Sequence, residues 1–155
     1  MKIHFKGFFP CDPPTATSQQ KICHNGLYFP TKDLKIAKKF WERLSKMVSG
    51  YTGSSIADMG KPLFFHVAFV KPLLKRHKNS DLFWHTNKPD GDNWVKLVQD
   101  CMAGAGVISP DSWVARLVVE KFFGEVPGVR FTIGTLDKDD LPESEELMCK
   151  PEYIP

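Results

Sequence analysis

Apolar residues at Leu34, Ala37, Phe40, Trp41, Leu44, Met47 and Val48 recur every three or four positions, a spacing that gathers side chains on one face of an α-helix. Thr31 offers a hydroxyl to the first free N–H groups and Gly50 stands just past the end, so a helix is predicted from Thr31 to about Ser49. A second stripe of the same period runs through Trp94, Leu97, Val98, Cys101 and Met102, capped by Asp92 or Asn93, while Pro89 biases Lys88 toward extended backbone. Residues 2–9, 63–70, 113–123 and 129–136 read as strands, the last two joined by Gly124-Glu125-Val126-Pro127-Gly128. Leu27 to Pro30 is expected to return against residues 2–9 across an Asn25-Gly26 turn. Residues 10–20, rich in proline, form an irregular arm, residues 50–60 a flexible Gly/Ser segment, and residues 71–87 a basic loop. Together these elements predict a single α+β domain with a mixed sheet and helices packed on it.

At 155 residues with 42% hydrophobic content, the chain is long enough to bury a core without disulfide or metal staples. No apolar run approaches the ~18 residues of a membrane span, and the start Met-Lys-Ile-His-Phe-Lys lacks a signal peptide's apolar stretch, so no membrane partner and a cytoplasmic location are expected. Cys11, Cys23, Cys101 and Cys149 form no close pair, which favours reduced thiols; Cys23-His24 alone is too little for zinc. Charge is divided unevenly. Residues 1–136 carry 19 basic and 11 acidic residues, whereas residues 137–155 carry seven acidic and two basic. The chain divides on this reading into a basic body, 1–136, and an acidic C-terminal tail, 137–155. A body of that charge suits nucleic acid, although a soluble surface can carry the same excess.

The chemistry concentrates between Lys88 and Asp111. Asp90 and Asp92 are two apart, so on extended backbone both carboxylates project to one side, where a hard divalent cation can bind oxygen ligands. On the following helix Asp92, Lys96 and Asp100 share the face opposite the apolar stripe, with Lys96 one turn from the acidic pair. An ammonium there can meet a phosphate oxygen, which points to metal-assisted hydrolysis of a phosphodiester. Asp111, just before a strand, can return beside the helix start and complete the cation site. Ordinary turn and cap chemistry also accounts for Pro-Asp-Gly-Asp-Asn. An EF-hand loop is excluded, because the sixth position from Asp90 is Val95 and the twelfth is Cys101. Upstream, Lys75, Arg76, His77 and Lys78 are the densest basic cluster, followed by Phe83, Trp84 and His85; the loop can contact phosphates and wedge an aromatic ring at unstacked bases, or can simply be solvated.

The string Lys88-Pro89-Asp90-Gly91-Asp92-Asn93-Trp94-Val95-Lys96-Leu97-Val98-Gln99-Asp100, followed by Gly104, Gly106 and Asp111, resembles the core motif of the RusA family of Holliday junction resolvases. Pro13 to Lys21 is similar to the N-terminal segment of phage-type members, and Val118 to Phe122 with Val126 to Val129 to the closing hairpin, so the likeness covers about residues 1 to 136. The resemblance implies a RusA-like homodimer in the bacterial cytoplasm, acting on four-way DNA. It implies Mg²⁺, replaceable by Mn²⁺, at Asp90, Asp92 and Asp111, a catalytic Lys96, and a supporting place for Asp100. Lys75, Arg76, Lys78 and Lys88 are the DNA contacts that fit this picture. Pro110 stands where the pattern usually has the first of two aspartates, and the arginines common in the family's N-terminal segment are missing. The alternatives are a DNA-junction binding protein that does not cleave, which Pro110 favours, and a nuclease of the same chemistry that prefers flaps or other branched substrates.

Overall fold

The computed structural model describes residues 1–52, 56, 60–74 and 82–142. Strand β1 is Lys2–Pro10, β2 Lys21–His24, β3 Leu27–Pro30, β4 Leu63–Pro72, β5 Leu82–Trp84, β6 Val114–Gly124 and β7 Gly128–Thr135; helix α1 is Lys32–Thr52 and α2 Gly91–Gly104. The main sheet has the order β1-β7-β4-β6-β5. Only β4 and β6 are parallel, and α2 lies in the crossover between them, so the mixed α+β architecture follows the sequence reading.

Both helices pack on one face of this sheet. Leu63, Phe65, Val67 and Phe69 on β4 and Val129, Phe131 and Ile133 on β7 alternate along their strands and are all fully buried. They meet Leu34, Ala37, Trp41 and Val48 of α1 and Trp94, Val95, Val98 and Met102 of α2. Trp94 stacks on Phe69 with ring centroids 4.1 Å apart and planes within 5°, and Trp41 meets Phe69 edge-on. Truncating a fully buried tryptophan of this kind costs about 3–5 kcal/mol, so the aromatic column fixes where α2 sits.

The structure departs from expectation at several points, each with a local cause. Leu27–Pro30 pairs with Lys21–His24 and not with residues 2–9. Asn25 and Gly26 both have positive φ, the two-residue turn that joins immediately adjacent strands, while β1 is paired along its length with β7. Helix α1 runs through Gly50 to Thr52, where Thr52 bonds back to the Ser49 carbonyl; at the other end Thr31 Oγ1 does accept the Leu34 N–H. Met47 faces solvent, which narrows the apolar stripe. Helix α2 begins at Gly91 with Asp90, not Asp92 or Asn93, at the cap, because the Trp94 N–H already bonds the Asp90 carbonyl. Strands β6 and β7 are not a hydrogen-bonded hairpin: β4 runs between them, and Glu125-Val126-Pro127 passes over its end. Residues 82–84, expected as loop, form the edge strand β5. Of the Gly/Ser segment 50–60, residues 53–55 and 57–59 lie outside the described residues, as does most of the acidic tail. The tail's first residues are held to the body: Asp137 pairs with Lys61 at 2.5 Å and Asp140 with the N-terminal amine at 2.6 Å.

Candidate active site

The segment that carries the motif is built onto β6 from below upward. The ladder between β5 and β6 continues one residue past Trp84, where the His85 N–H bonds the Lys121 carbonyl at 2.9 Å. The His85 ring is buried between Phe123, 4.4 Å away, and Trp94, and that burial holds its pKa below the ordinary 6.5, so the ring is neutral. Two residues on, the side chain of Lys121 reaches across and donates to the carbonyls of Asn87 at 3.0 Å and Pro89 at 2.8 Å. Nothing in the sequence pattern pointed to Lys121 as more than a strand residue. A lysine inside Val-Val-Glu-Lys-Phe-Phe is nonetheless a signal, since a cation placed there needs acceptors.

Pinned this way, the loop enters α2 through a cis Lys88–Pro89 bond, a buried Pro89 and an extended Asp90. The first turn of α2 rests directly on β6: a Cβ on Gly91 would lie 3.4 Å from Val119 Cγ1. Trp94, Leu97, Val98, Cys101 and Met102 face the core as the spacing predicted, joined by Val95, and Asp92, Lys96 and Asp100 are left together on the exposed face. Lys96 is four residues, about 6 Å of helix rise, from Asp92. Burial raises the Cys101 thiol to about 11, so it is a packing residue and not a nucleophile.

The charged side chains of the motif are not consumed by structure. The Asp90 carboxylate makes no capping hydrogen bond, although Asp90 is the cap residue. Among the described residues the ion pairs use other partners: Lys61–Asp137, Lys71–Asp12, Lys38–Glu42, His66–Glu120 and Asp140 with the amino terminus. Asp90, Asp92, Lys96 and Asp100 are all exposed and open to a ligand at one helix end and along one helix face. Asp111 sits in a single 3₁₀ turn, Asp111–Trp113, after a cis Ser109–Pro110 bond, and its carbonyl accepts the Val114 N–H at the start of β6. That turn lies near α2, whose start abuts Val119 further along the same strand. Among the described residues no three His, Cys, Asp or Glu side chains form a group that could hold a metal ion, so Asp111 is not gathered with Asp90 and Asp92 within this chain. Lys88 is exposed at the site; Lys75, Arg76 and Lys78 lie outside the described residues.

Beside the helix start is a cleft of about 240 Å³ lined by Thr15, Thr17, Gln19, Gln20, Lys88, Pro89, Asp90 and Asn93. Half of that lining comes from the arm, which sequence reasoning had left as an irregular connection.

Carboxylate oxygens suited to a hard cation, an ammonium one turn along the helix and a polar cleft beside Asp90 are the kinds of group that an enzyme cutting phosphodiesters uses. The family model for endodeoxyribonuclease RusA matches residues 12–134, and the chain belongs to that family. It is thus a RusA-family Holliday junction endodeoxyribonuclease, metal-dependent and directed at branched DNA. No curated protein matches the chain. Among the described residues no helix is long and apolar enough to cross a membrane.

Proposed function

We propose that the protein is a cytoplasmic enzyme that resolves four-way DNA junctions by Mg²⁺-dependent hydrolysis of two symmetry-related strands, acting as a C2 homodimer whose twofold matches that of the junction. Residues 1–136 are the nuclease body and 137–155 an acidic extension of it. The observation that carries this reading is that Asp90, Asp92 and Lys96 stand exposed, and without an ion-pair partner among the described residues, at the start and on the outer face of a helix whose apolar stripe is buried.

The donor set fits a hard cation, since it consists of carboxylate oxygens and one of them, Asp90, is left free at a position where aspartate usually caps. Asp90 and Asp92 would hold the ion, Asp111 would be drawn in from its 3₁₀ turn as third ligand when the ion binds, and Mn²⁺ can replace Mg²⁺. When bound, the ion supplies Lewis acidity to the phosphate and a water of lowered pKa. Lys96 places its ammonium against a non-bridging phosphate oxygen, where it offsets charge that grows in the transition state. Asp100, a further turn along, supports the orientation of Lys96. Lys75, Arg76, Lys78 and Lys88 bind backbone phosphates and set the position of the strand.

The test is an assay of purified protein on synthetic four-way, flap and linear duplex DNA with and without Mg²⁺. Paired nicks in the four-way substrate that require Mg²⁺ are expected. Binding of four-way DNA with no cutting under any metal condition would reject the catalytic reading, and faster cutting of flaps would reject the substrate assignment.

A further inference from the structure

The arm between β1 and β2 has no regular structure, yet bonds along its length fasten it to the body. Cys11 N–H bonds the Pro127 carbonyl at 3.1 Å; Lys71 pairs with Asp12 and donates to the Pro13 carbonyl at 3.1 Å. The indole N–H of Trp94 donates to the Pro14 carbonyl at 2.7 Å, and the Gln19 amide donates to Asn93 Oδ1 at 2.5 Å. Between these points Ala16 and Thr17 are buried, 7% exposed each, so the arm is packed against the body and not merely draped on it.

Two of these fasteners, Trp94 and Asn93, belong to the first turn of α2, the turn that carries Asp92. The arm is thereby registered against the carboxylates. Thr15, Gln19 and Gln20 remain exposed and line the cleft opposite Lys88, Asp90 and Asn93. With Asn93 Oδ1 taken by Gln19, the Asn93 amide hydrogens are free for a different acceptor. One wall of the cleft therefore offers carboxylate and ammonium, and the other offers neutral hydrogen-bonding groups.

We propose that the arm is the second wall of the catalytic cleft, in which Thr15, Gln19 and Gln20 together with Asn93 hydrogen-bond the DNA backbone at the phosphate presented to Asp90 and Asp92. This inference rests on the nuclease reading and assigns substrate-binding residues to it. A phosphodiester held by a cation on one side has oxygen lone pairs on the other that need donors once water is displaced. Hydroxyls and amides meet that need without pairing with Asp90, as an arginine in the same place would, and so leave the carboxylate for the cation.

Neutral donors leave a signature that separates them from basic ones. Binding through a lysine releases counterions and adds about one to the salt slope of affinity; a hydroxyl or amide contact adds nothing. The experiment measures four-way junction affinity of the full chain over a KCl series in an Asp92→Asn background, and single-turnover cleavage with Asp92 intact. Thr15→Val, Gln19→Ala and Gln20→Ala are compared with Lys88→Ala. Expected is a roughly tenfold loss of cleavage rate for Thr15→Val and Gln19→Ala, the scale of one hydrogen bond to a charged group, with an unchanged salt slope. Lys88→Ala should lower the slope by about one.

Wild-type cleavage rates in the arm variants overturn the proposal, as does a defect confined to Gln19→Ala with normal Thr15→Val and Gln20→Ala, which would make Gln19 a brace for Asn93 only. Thr15 is exposed and its valine variant nearly isosteric, so a folding defect does not obscure the result. A wild-type protein that cuts no branched DNA would instead reject the nuclease reading, and the affinity series would still decide whether the arm contacts DNA.

Discussion

Replacing Lys121 by methionine tests whether the loop that leads into Asp90 is held from β6. The side chain keeps its length and apolar stem, but the two donors to the Asn87 and Pro89 carbonyls are removed. Each such bond contributes about 1 kcal/mol net, and a carbonyl left without a donor adds to the cost, so a loss of about 2 kcal/mol is expected. For a domain of this length that corresponds to a fall of roughly 4–8 °C in Tm. The larger effect should be on activity, because Asp90 directly follows the released Pro89 and a misplacement of about 1 Å can cost on the order of 10²-fold in rate. Thermal melting, single-turnover cleavage of a four-way junction and the Mg²⁺ concentration for half-maximal rate are the measurements. A higher Mg²⁺ requirement and a fall in rate of at least tenfold are expected, with junction affinity nearly intact. A variant that melts lower yet cuts at the wild-type rate with unchanged Mg²⁺ requirement would refute the pinning argument and leave Lys121 a stabilising residue alone.

Asp90→Asn and Asp92→Asn should each lower Mg²⁺-dependent cleavage by on the order of 10²-fold or more while preserving junction binding, as read by gel shift in Ca²⁺; Asp111→Asn should match them if it completes the cation site. Lys96→Ala should lose turnover and keep junction affinity, and Lys96→Arg should restore little, since a planar guanidinium differs in shape and hydration; affinity falling in step with rate would make it a binding residue. His85 is kept neutral by burial, so its folded pKa lies below 6.5 and the unfolded chain takes up a proton first as pH falls. Its contribution to stability is therefore complete above about pH 6.5 and is lost below it, through the depressed folded pKa, and His85→Phe should flatten the pH dependence of the urea midpoint over that interval.

Helix α2 was legible because its stripe is buried without exception, so period alone identifies the face on which Asp92, Lys96 and Asp100 must lie. Its start was misplaced by two or three residues because Asp90, Asp92 and Asn93 all suit a cap position, and the choice is made by where β6 supports Gly91 and Lys121 grips Pro89, contacts some 30 residues away in the chain. The Asn25-Gly26 turn was evident, but which strand it served was not, since β1 finds its partner beyond residue 127. Strand β5 has three residues and no alternation to read. The arm's place beside the helix start was hidden for a related reason: Thr and Gln carry no charge pattern, and only the bonds with Trp94 and Asn93 bring them there.

The sheet order has a consequence for how the protein comes into being. β1 has a single neighbour, β7, and β4 is flanked on one side by that same strand. β1 thus waits, with its hydrogen-bonding edge open, for a strand more than 110 residues further along the chain, and the sheet's centre stays half-built until residue 135 has been made. Closing the sheet therefore depends on non-local pairing, of the kind that forms slowly. Until β7 is in place, Phe5, Phe8 and Phe9 of β1 sit on an unpaired strand edge, the kind of surface that invites pairing with another chain.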